Sequence, residues 1–157
     1  MIYNYLKLLH LIAVILFLGN IVTGLFWMTI AVKTKDLKII SHSIKGVIKS
    51  DRLFTIPGVI VIVAGGFMAA IYGNIPILRT GWIFWSLILF SISGIVFGWK
   101  VAPLQRKIYN LTSNRETAHD FNWPGFKKVY LEWETWGLVA LLTPVAALVM
   151  MVLKIPR

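Results

Sequence analysis

The chain has 157 residues, of which 58% are apolar and only 14% are charged. Soluble domains carry about 25% charged residues, so this composition excludes a water-soluble fold and predicts that lipid is the solvent. Cysteine is absent, which excludes disulfides, thiolate metal ligands and covalent c-type haem attachment. The net charge of +10 comes from basic residues that flank apolar segments, which indicates contacts with lipid headgroups and no binding of nucleic acid.

Four long apolar segments follow one another along the chain. Each is close to the roughly 20 residues that a bilayer-spanning helix needs, and none alternates as a barrel strand would. We therefore predict an all-α, polytopic membrane protein that forms a four-transmembrane-helix bundle. The whole chain, 1–157, is expected to be a single membrane domain, with spans at about 6–32, 53–73, 81–100 and 135–154.

The distribution of Lys and Arg predicts the orientation of the bundle. Twelve basic residues lie in or beside the connections 33–52 and 101–134, whereas Lys7, Arg79, Lys154 and Arg157 lie on the other side. Positive charge is concentrated in cytoplasmic loops of membrane proteins. We expect both connections in the cytoplasm and both termini outside, in a multi-pass protein of the bacterial inner membrane.

The connections contain two local signals. Leu37, Ile40, Ile44 and Val47 recur at helical spacing, which predicts an amphipathic helix in the headgroup region between spans 1 and 2. This helix is either a lipid-sensing or docking surface or simply a covered loop. The later connection carries turn signals at 113–115 and 122–125.

Inside the four spans the apolar runs are 8–32, 53–72, 82–99 and 135–153, and His10 is the only Asp, Glu, Lys, Arg or His within these runs. An ionisable residue within a membrane span is costly and indicates a functional site. On a helix, Phe17 and Gly24 lie near the face of His10, and Lys7 precedes it by one turn. Lys7 is placed either to hold a carboxylate, such as a haem propionate, or to snorkel to the headgroups.

Histidine binds haem iron, and methionine is a known second axial ligand. Met68, Met150 and Met151 lie at a depth similar to that of His10, although methionine is also a common packing residue. A second histidine is not expected, because His42 and His119 belong to the cytoplasmic connections. Trp82 and Trp85 mark the outer entry of the third span, either to pack on a macrocycle or as interfacial residues.

A charged group is predicted where the spans meet the cytoplasm. Arg52 precedes the second span, and Glu132 and Glu134 precede the fourth. We expect a structural ion pair between Arg52 and one of these carboxylates, with proton entry as the alternative role.

Several motifs resemble an uncharacterised bacterial integral membrane family, domain of unknown function 2269. The resemblance covers nearly the whole chain and implies a membrane protein without indicating an activity. The residues that carry it are Lys7-Leu8-Leu9-His10, Gly19, Asp51-Arg52-Leu53-Phe54-Thr55-Ile56-Pro57, Gly81-Trp82, Pro103-Leu104-Gln105-Arg106 and Met151-Val152-Leu153-Lys154-Ile155-Pro156.

A second resemblance is limited to the N-terminal Lys7-x-x-His10 pattern, which is similar to that of HemJ-type protoporphyrinogen oxidases. It implies b-type haem on His10. The Pro-Arg-Leu-Phe stretch of those enzymes is missing, since this chain reads Phe26-Trp27-Met28-Thr29 in its place.

Three hypotheses about function follow. The first is a small haem b protein for electron transfer or oxidoreduction, with a quinone or a periplasmic redox partner. The second is a cofactor-free accessory or assembly subunit, or a small transporter, in which His10 bonds a backbone carbonyl or forms a polar pocket with Asn20 and Thr23. The third is protoporphyrinogen oxidation. The sequence leaves open whether the protein is an enzyme, a homo-oligomer or a subunit of a larger complex.

Overall fold

The computed structural model describes residues 1–113 and 121–156. The turn predicted at 113–115 and the position of His119 therefore fall wholly or partly outside the described residues. The described secondary structure is helical, which confirms the all-α prediction. Its α-helices are α1 (Ile2–Lys33), α2 (Leu37–Ser50), α3 (Ile56–Tyr72), α4 (Gly81–Val96), α5 (Ala102–Ser113) and α6 (Trp123–Leu153).

Four continuous helices are long and apolar enough to cross a membrane, as the sequence predicts. They are Ile2–Lys33, Leu37–Tyr72, Gly81–Ser113 and Trp123–Leu153. The second joins α2 to α3, and the third joins α4 to α5. The first helix nearly coincides with its predicted span, whereas in the other three the apolar segment accounts for only part of the helix and the remainder lies in the predicted connections.

Both joints are short π-helical turns, at Asp51–Thr55 and Phe97–Val101. Each turn ends two residues before a proline, Pro57 or Pro103. Proline lacks the N–H that an α-helix needs, and its ring clashes with the carbonyl of the preceding turn. A π turn widens the helix at this point, so the helix continues past the proline instead of ending there.

The amphipathic helix predicted between spans 1 and 2 is α2. Its side-chain cap is Asp36, which accepts hydrogen bonds from the backbone N–H groups of Lys38 and Ile39. The predicted apolar face is buried, but it is covered by protein, because α2 packs against α5 and α1. This helix is therefore part of the folded core and leaves mainly its polar face exposed.

The helices run antiparallel and give the bundle two distinct ends. One end, here called the termini end, contains the start of α1, the end of α6 and the short loop 73–80. The opposite end, here called the connection end, contains α2, α5 and the start of α6. At the connection end a continuous core is packed from all these helices and α1. Its fully buried members include Met28, Ile40, Ile44, Ile108 and Trp133.

Packing is looser towards the termini end. There α1 packs against α3 and α4 packs against α6, whereas no close helix contacts join α3 to α4 in the described residues. A small cluster of Ala13, Phe17 and Ile62, with Phe90 against it, is buried near mid-height. Above this cluster the two helix pairs separate and leave a cleft.

Candidate functional site

The cleft has a volume of about 450 Å³ and lies between α1, α3, α4 and α6. Ligand pockets in proteins typically have volumes of roughly 300–1,000 Å³. Most of its lining is apolar. Phe17 and Phe90 close its inner end, with ring centroids 5.5 Å apart. Tyr3, Lys7 and Lys154 line it near the helix ends. The cleft can therefore take an apolar body with a polar end towards the membrane surface.

His10 lies in the wall of this cleft, half-buried on α1. Its Nδ1 is 2.8 Å from the backbone oxygen of Ile62 on α3. A carbonyl oxygen only accepts, so Nδ1 is the donor and the neutral ring carries its lone pair on Nε2. Nε2 has no hydrogen-bond partner within the described residues. The ring is thus oriented by the protein through one nitrogen while the other stays available.

Two glycines of α3 let the histidine ring approach the helix. A Cβ atom added to Gly66 would lie 3.2 Å from both Cε1 and Nδ1 of His10, and one added to Gly65 would lie 3.6 Å from the Cβ of His10. Small residues allow such close approach between membrane helices. The repeat of small residues along span 2 is visible in the sequence, but its contact with His10 is not.

The structure brings together some of the predicted ligands. Lys7, His10 and Met151 line the same cleft. Met68 is 45% exposed, and neither Met68 nor Met150 belongs to the lining. Only Met151 among the three methionines is therefore close to the cleft, and ligation by any of them stays a prediction.

Three further residues of the lining matter for a ligand. Trp82 lines the cleft, whereas Trp85 is 47% exposed and does not. Ser86 is buried, and its hydroxyl donates to the backbone oxygen of Ala147, which ties α4 to α6. Lys154 adds a second lysine to the lining; from the sequence it was predicted only to lie on the side opposite to the basic connections.

A second polar group is buried between α1, the first π turn and α5. Asp51 accepts hydrogen bonds from Asn20 and Thr55 on one carboxylate oxygen and from Gln105 on the other, at distances of 2.8–2.9 Å. The donors are neutral, and no cation pairs with Asp51 within the described residues. Asn20, which the second hypothesis placed with Thr23 beside His10, belongs to this group instead. The sequence signal for this group is Asp51, an acidic residue just before the second apolar span, and its partners were not predicted from it.

The predicted ion pair at the span ends is not formed within residues 1–113 and 121–156. Glu134 accepts hydrogen bonds from the Tyr130 hydroxyl at 2.8 Å and from Thr29 at 3.4 Å. Arg52 and Glu132 are exposed. The Glu134 carboxylate is therefore hydrogen-bonded by hydroxyl groups of α1 and α6 and does not pair with Arg52.

The described ranges contain no group of three or more His, Asp or Glu residues that could hold a metal ion. A haem iron takes four ligands from the porphyrin, so one protein histidine is a sufficient protein ligand. Haem ligation by His10 therefore needs no further protein ligand, and it stays a prediction.

One family matches almost the entire chain. It is described as predicted integral membrane protein (DUF2269), and the match covers residues 4–155. The chain belongs to this family. No curated protein and no solved structure gives a significant match. The similarity to HemJ-type oxidases therefore rests on Lys7 and His10 alone, while the membrane location rests on the family and on the four apolar helices.

Proposed function

We propose that this integral membrane protein binds haem b in the cleft, with His10 as an axial ligand, and acts in electron transfer or oxidoreduction. The observation that carries the proposal is the orientation of His10. Its Nδ1 donates to the Ile62 carbonyl, which leaves Nε2 without a partner among the described residues, and His10 lines an apolar cleft. Histidine ligands of metals generally donate their other ring N–H in this way, which sets the tautomer and makes the ligating nitrogen more basic.

The other lining residues suit the same ligand. A flat macrocycle needs apolar walls, which exclude water, and aromatic faces such as those of Trp82 and Phe90. Its propionates need cations, and Lys7 lines the cleft one turn before His10. Met151 is the candidate second axial ligand. Haem supplies one-electron chemistry when bound, while these residues orient it and keep it dry.

The partner in electron transfer follows from the location of the cleft at the termini end. A quinone dissolved in the bilayer or a periplasmic redox protein fits this position if the bundle is oriented as the basic residues predict. That orientation places both termini outside the bacterial inner membrane and α2 and α5 in the cytoplasm.

The absorption spectrum of the purified protein tests the proposal. We expect a Soret band in the oxidised form that shifts on reduction. His10→Ala should remove or strongly change it, because the iron loses its ligand. His42→Ala is the matched control, since His42 is exposed on α2 far from the cleft. Haem ligation by His10 would be contradicted if the protein showed no Soret band after reconstitution with haem. An unchanged band in His10→Ala would contradict it as well.

Gly66→Ala examines the same geometry without removing the histidine. The new Cβ, 3.2 Å from the ring, must displace it, so we expect a shifted band or weaker haem retention. Gly19→Ala is its control, because nothing lies within 4 Å of a Cβ added there. Equal spectra for both glycine variants would mean that the orientation of the ring does not matter for haem.

A cofactor-free accessory subunit or small transporter is the second candidate. The observation that favours it is the His10–Ile62 hydrogen bond, which by itself also joins α1 to α3 as a structural contact. Recovery of a stable larger complex without a chromophore would support this function. Protoporphyrinogen oxidation has a separate test, the rescue of a bacterial strain that lacks its own enzyme.

A further inference from the structure

Lys154 occupies a backbone conformation that is unfavourable for lysine. It caps the end of α6 with φ 54° and ψ 48°, in the left-handed region, and its N–H bonds to the oxygen of Met150. Glycine or asparagine usually occupies this position, because other side chains clash with their own backbone. Lysine at this position is therefore less favourable for the backbone than glycine would be; Lys35, which has φ 55° and does not line the cleft, shows that the conformation alone assigns no role.

The Lys154 side chain lines the cleft together with Lys7. Neither lysine forms an ion pair within the described residues. The carboxylates that the structure describes all lie at or near the connection end, in the order Asp36, Asp51, Glu132 and Glu134. Two exposed lysines thus line the same apolar cleft, and neither has a protein counter-ion in the described part of the chain.

We propose that Lys154 and Lys7 together bind the anionic end of the molecule whose apolar body fills the cleft. Under the proposed function, on which this assignment rests for its ligand, the anionic end is the pair of haem propionates. A phospholipid would present the same chemistry through its phosphate. Charge-assisted hydrogen bonds from lysine suit both groups. Both lysines are exposed, so each charge pair is expected to contribute modestly to the free energy of binding.

The decisive variant is Lys154→Gly, because it separates folding from binding. Glycine is favoured in the left-handed conformation, so the melting temperature of the ligand-free protein should stay equal or rise. Binding of haem should weaken by about threefold to tenfold, as expected for one partly exposed charge pair. Lys154→Arg keeps the charge and should retain most of the affinity. Arg79→Gly is the matched control, because Arg79 carries a cation at the same end but does not line the cleft.

A second experiment compares the affinities for haem and for haem dimethyl ester, in which both propionates are blocked. The unmodified protein should bind haem more tightly than the ester, and Lys154→Gly should reduce this preference while the position of the Soret band stays the same. Full retention of the preference in Lys154→Gly would overturn the assignment, although haem binding itself would stand. A larger loss in Arg79→Gly than in Lys154→Gly would overturn it as well.

If the protein gives no Soret band, the proposed function is refuted, but anion binding by Lys7 and Lys154 is not. A lipid-binding experiment then tests that assignment. Native mass spectrometry with phosphatidylglycerol and phosphatidylcholine is then the readout. We expect preferential retention of the anionic phosphatidylglycerol and loss of that preference in Lys154→Gly. Equal retention of the two lipids by the unmodified protein would refute the lysine pair.

Discussion

Asp51 is a carboxylate that is only 6% exposed, and both of its oxygens are satisfied by neutral side chains. Its donors come from α1, from its own π turn and from α5, so one residue links three segments of the chain. Burying a charged group is costly unless hydrogen bonds replace its hydration. The group therefore fixes how α1 and α5 meet the π turn.

Gln105→Leu tests this role at the residue scale. The variant removes the only donor to one oxygen of Asp51 in the described residues and leaves that oxygen buried. We expect the free energy of unfolding to fall by about 1–3 kcal/mol, the usual cost of an unsatisfied buried acceptor. Thermal unfolding in detergent measures the loss. Arg106→Leu, at the exposed neighbouring position, is the control; an equal melting temperature for the two variants would show that Asp51 does not depend on Gln105.

The sequence predicted the residues of the cleft only in part. His10 was recognisable because titratable groups are rare within apolar segments, and Lys7 because it precedes His10 by one helical turn. Lys154 was assigned merely to the outer side, because its left-handed backbone and its position in the cleft depend on how α6 ends. The Ile62 carbonyl leaves no sequence signal at all, since every residue carries one.

At the scale of the elements, the π turns decide the course of two long helices. Span 2, with Pro57 near its start, was predicted to begin at about residue 53, and α2 was predicted to be a separate helix in the headgroup region. The structure instead continues α2 into α3 through a π turn that accommodates the proline. The apolar stripe of α2 was predicted correctly, but a stripe cannot specify whether lipid or protein covers it.

Ile44 and Ile39 distinguish these two environments within one helix. Ile44 is fully buried in the core at the connection end, whereas Ile39 is 45% exposed. Ile44→Ala should lower the free energy of unfolding by about 2–5 kcal/mol, because it leaves a cavity, and Ile39→Ala should change it by less than about 1 kcal/mol. Chemical unfolding in mild detergent compares them. Comparable small losses would indicate that lipid, and not α5, covers the stripe.

At the scale of the whole molecule, the long helices exceed the thickness of the membrane. The helix Leu37–Tyr72 has 36 residues, which corresponds to about 54 Å at 1.5 Å per residue, whereas the hydrocarbon core is about 30 Å thick. The connection end therefore extends out of the hydrocarbon as a packed helical layer. Its core is buried and its exposed surface is basic, while the looser cleft lies in the other half.

The orientation of this layer is testable by fusion reporters. Alkaline phosphatase is active only outside the cytoplasm, and green fluorescent protein fluoresces mainly inside it. We expect phosphatase activity for fusions after residue 157 and within 73–80, because the basic connections should remain in the cytoplasm. A fusion within the connection 101–134 is the control and should fluoresce. Phosphatase activity at that site and none at 73–80 would reverse the predicted topology.

The amino-acid sequence alone is enough to predict a helical membrane protein with four long spans and a single histidine inside them. This prediction rests on composition and segment length, which do not depend on long-range contacts. The contacts of His10 with Ile62 and of Asp51 with Gln105, 54 positions away, become visible only in the folded chain. In lipid an outward face is as apolar as an inward one, so hydropathy cannot say which faces meet. The pairing of helices, and hence the cleft between them, comes from close packing and buried hydrogen bonds.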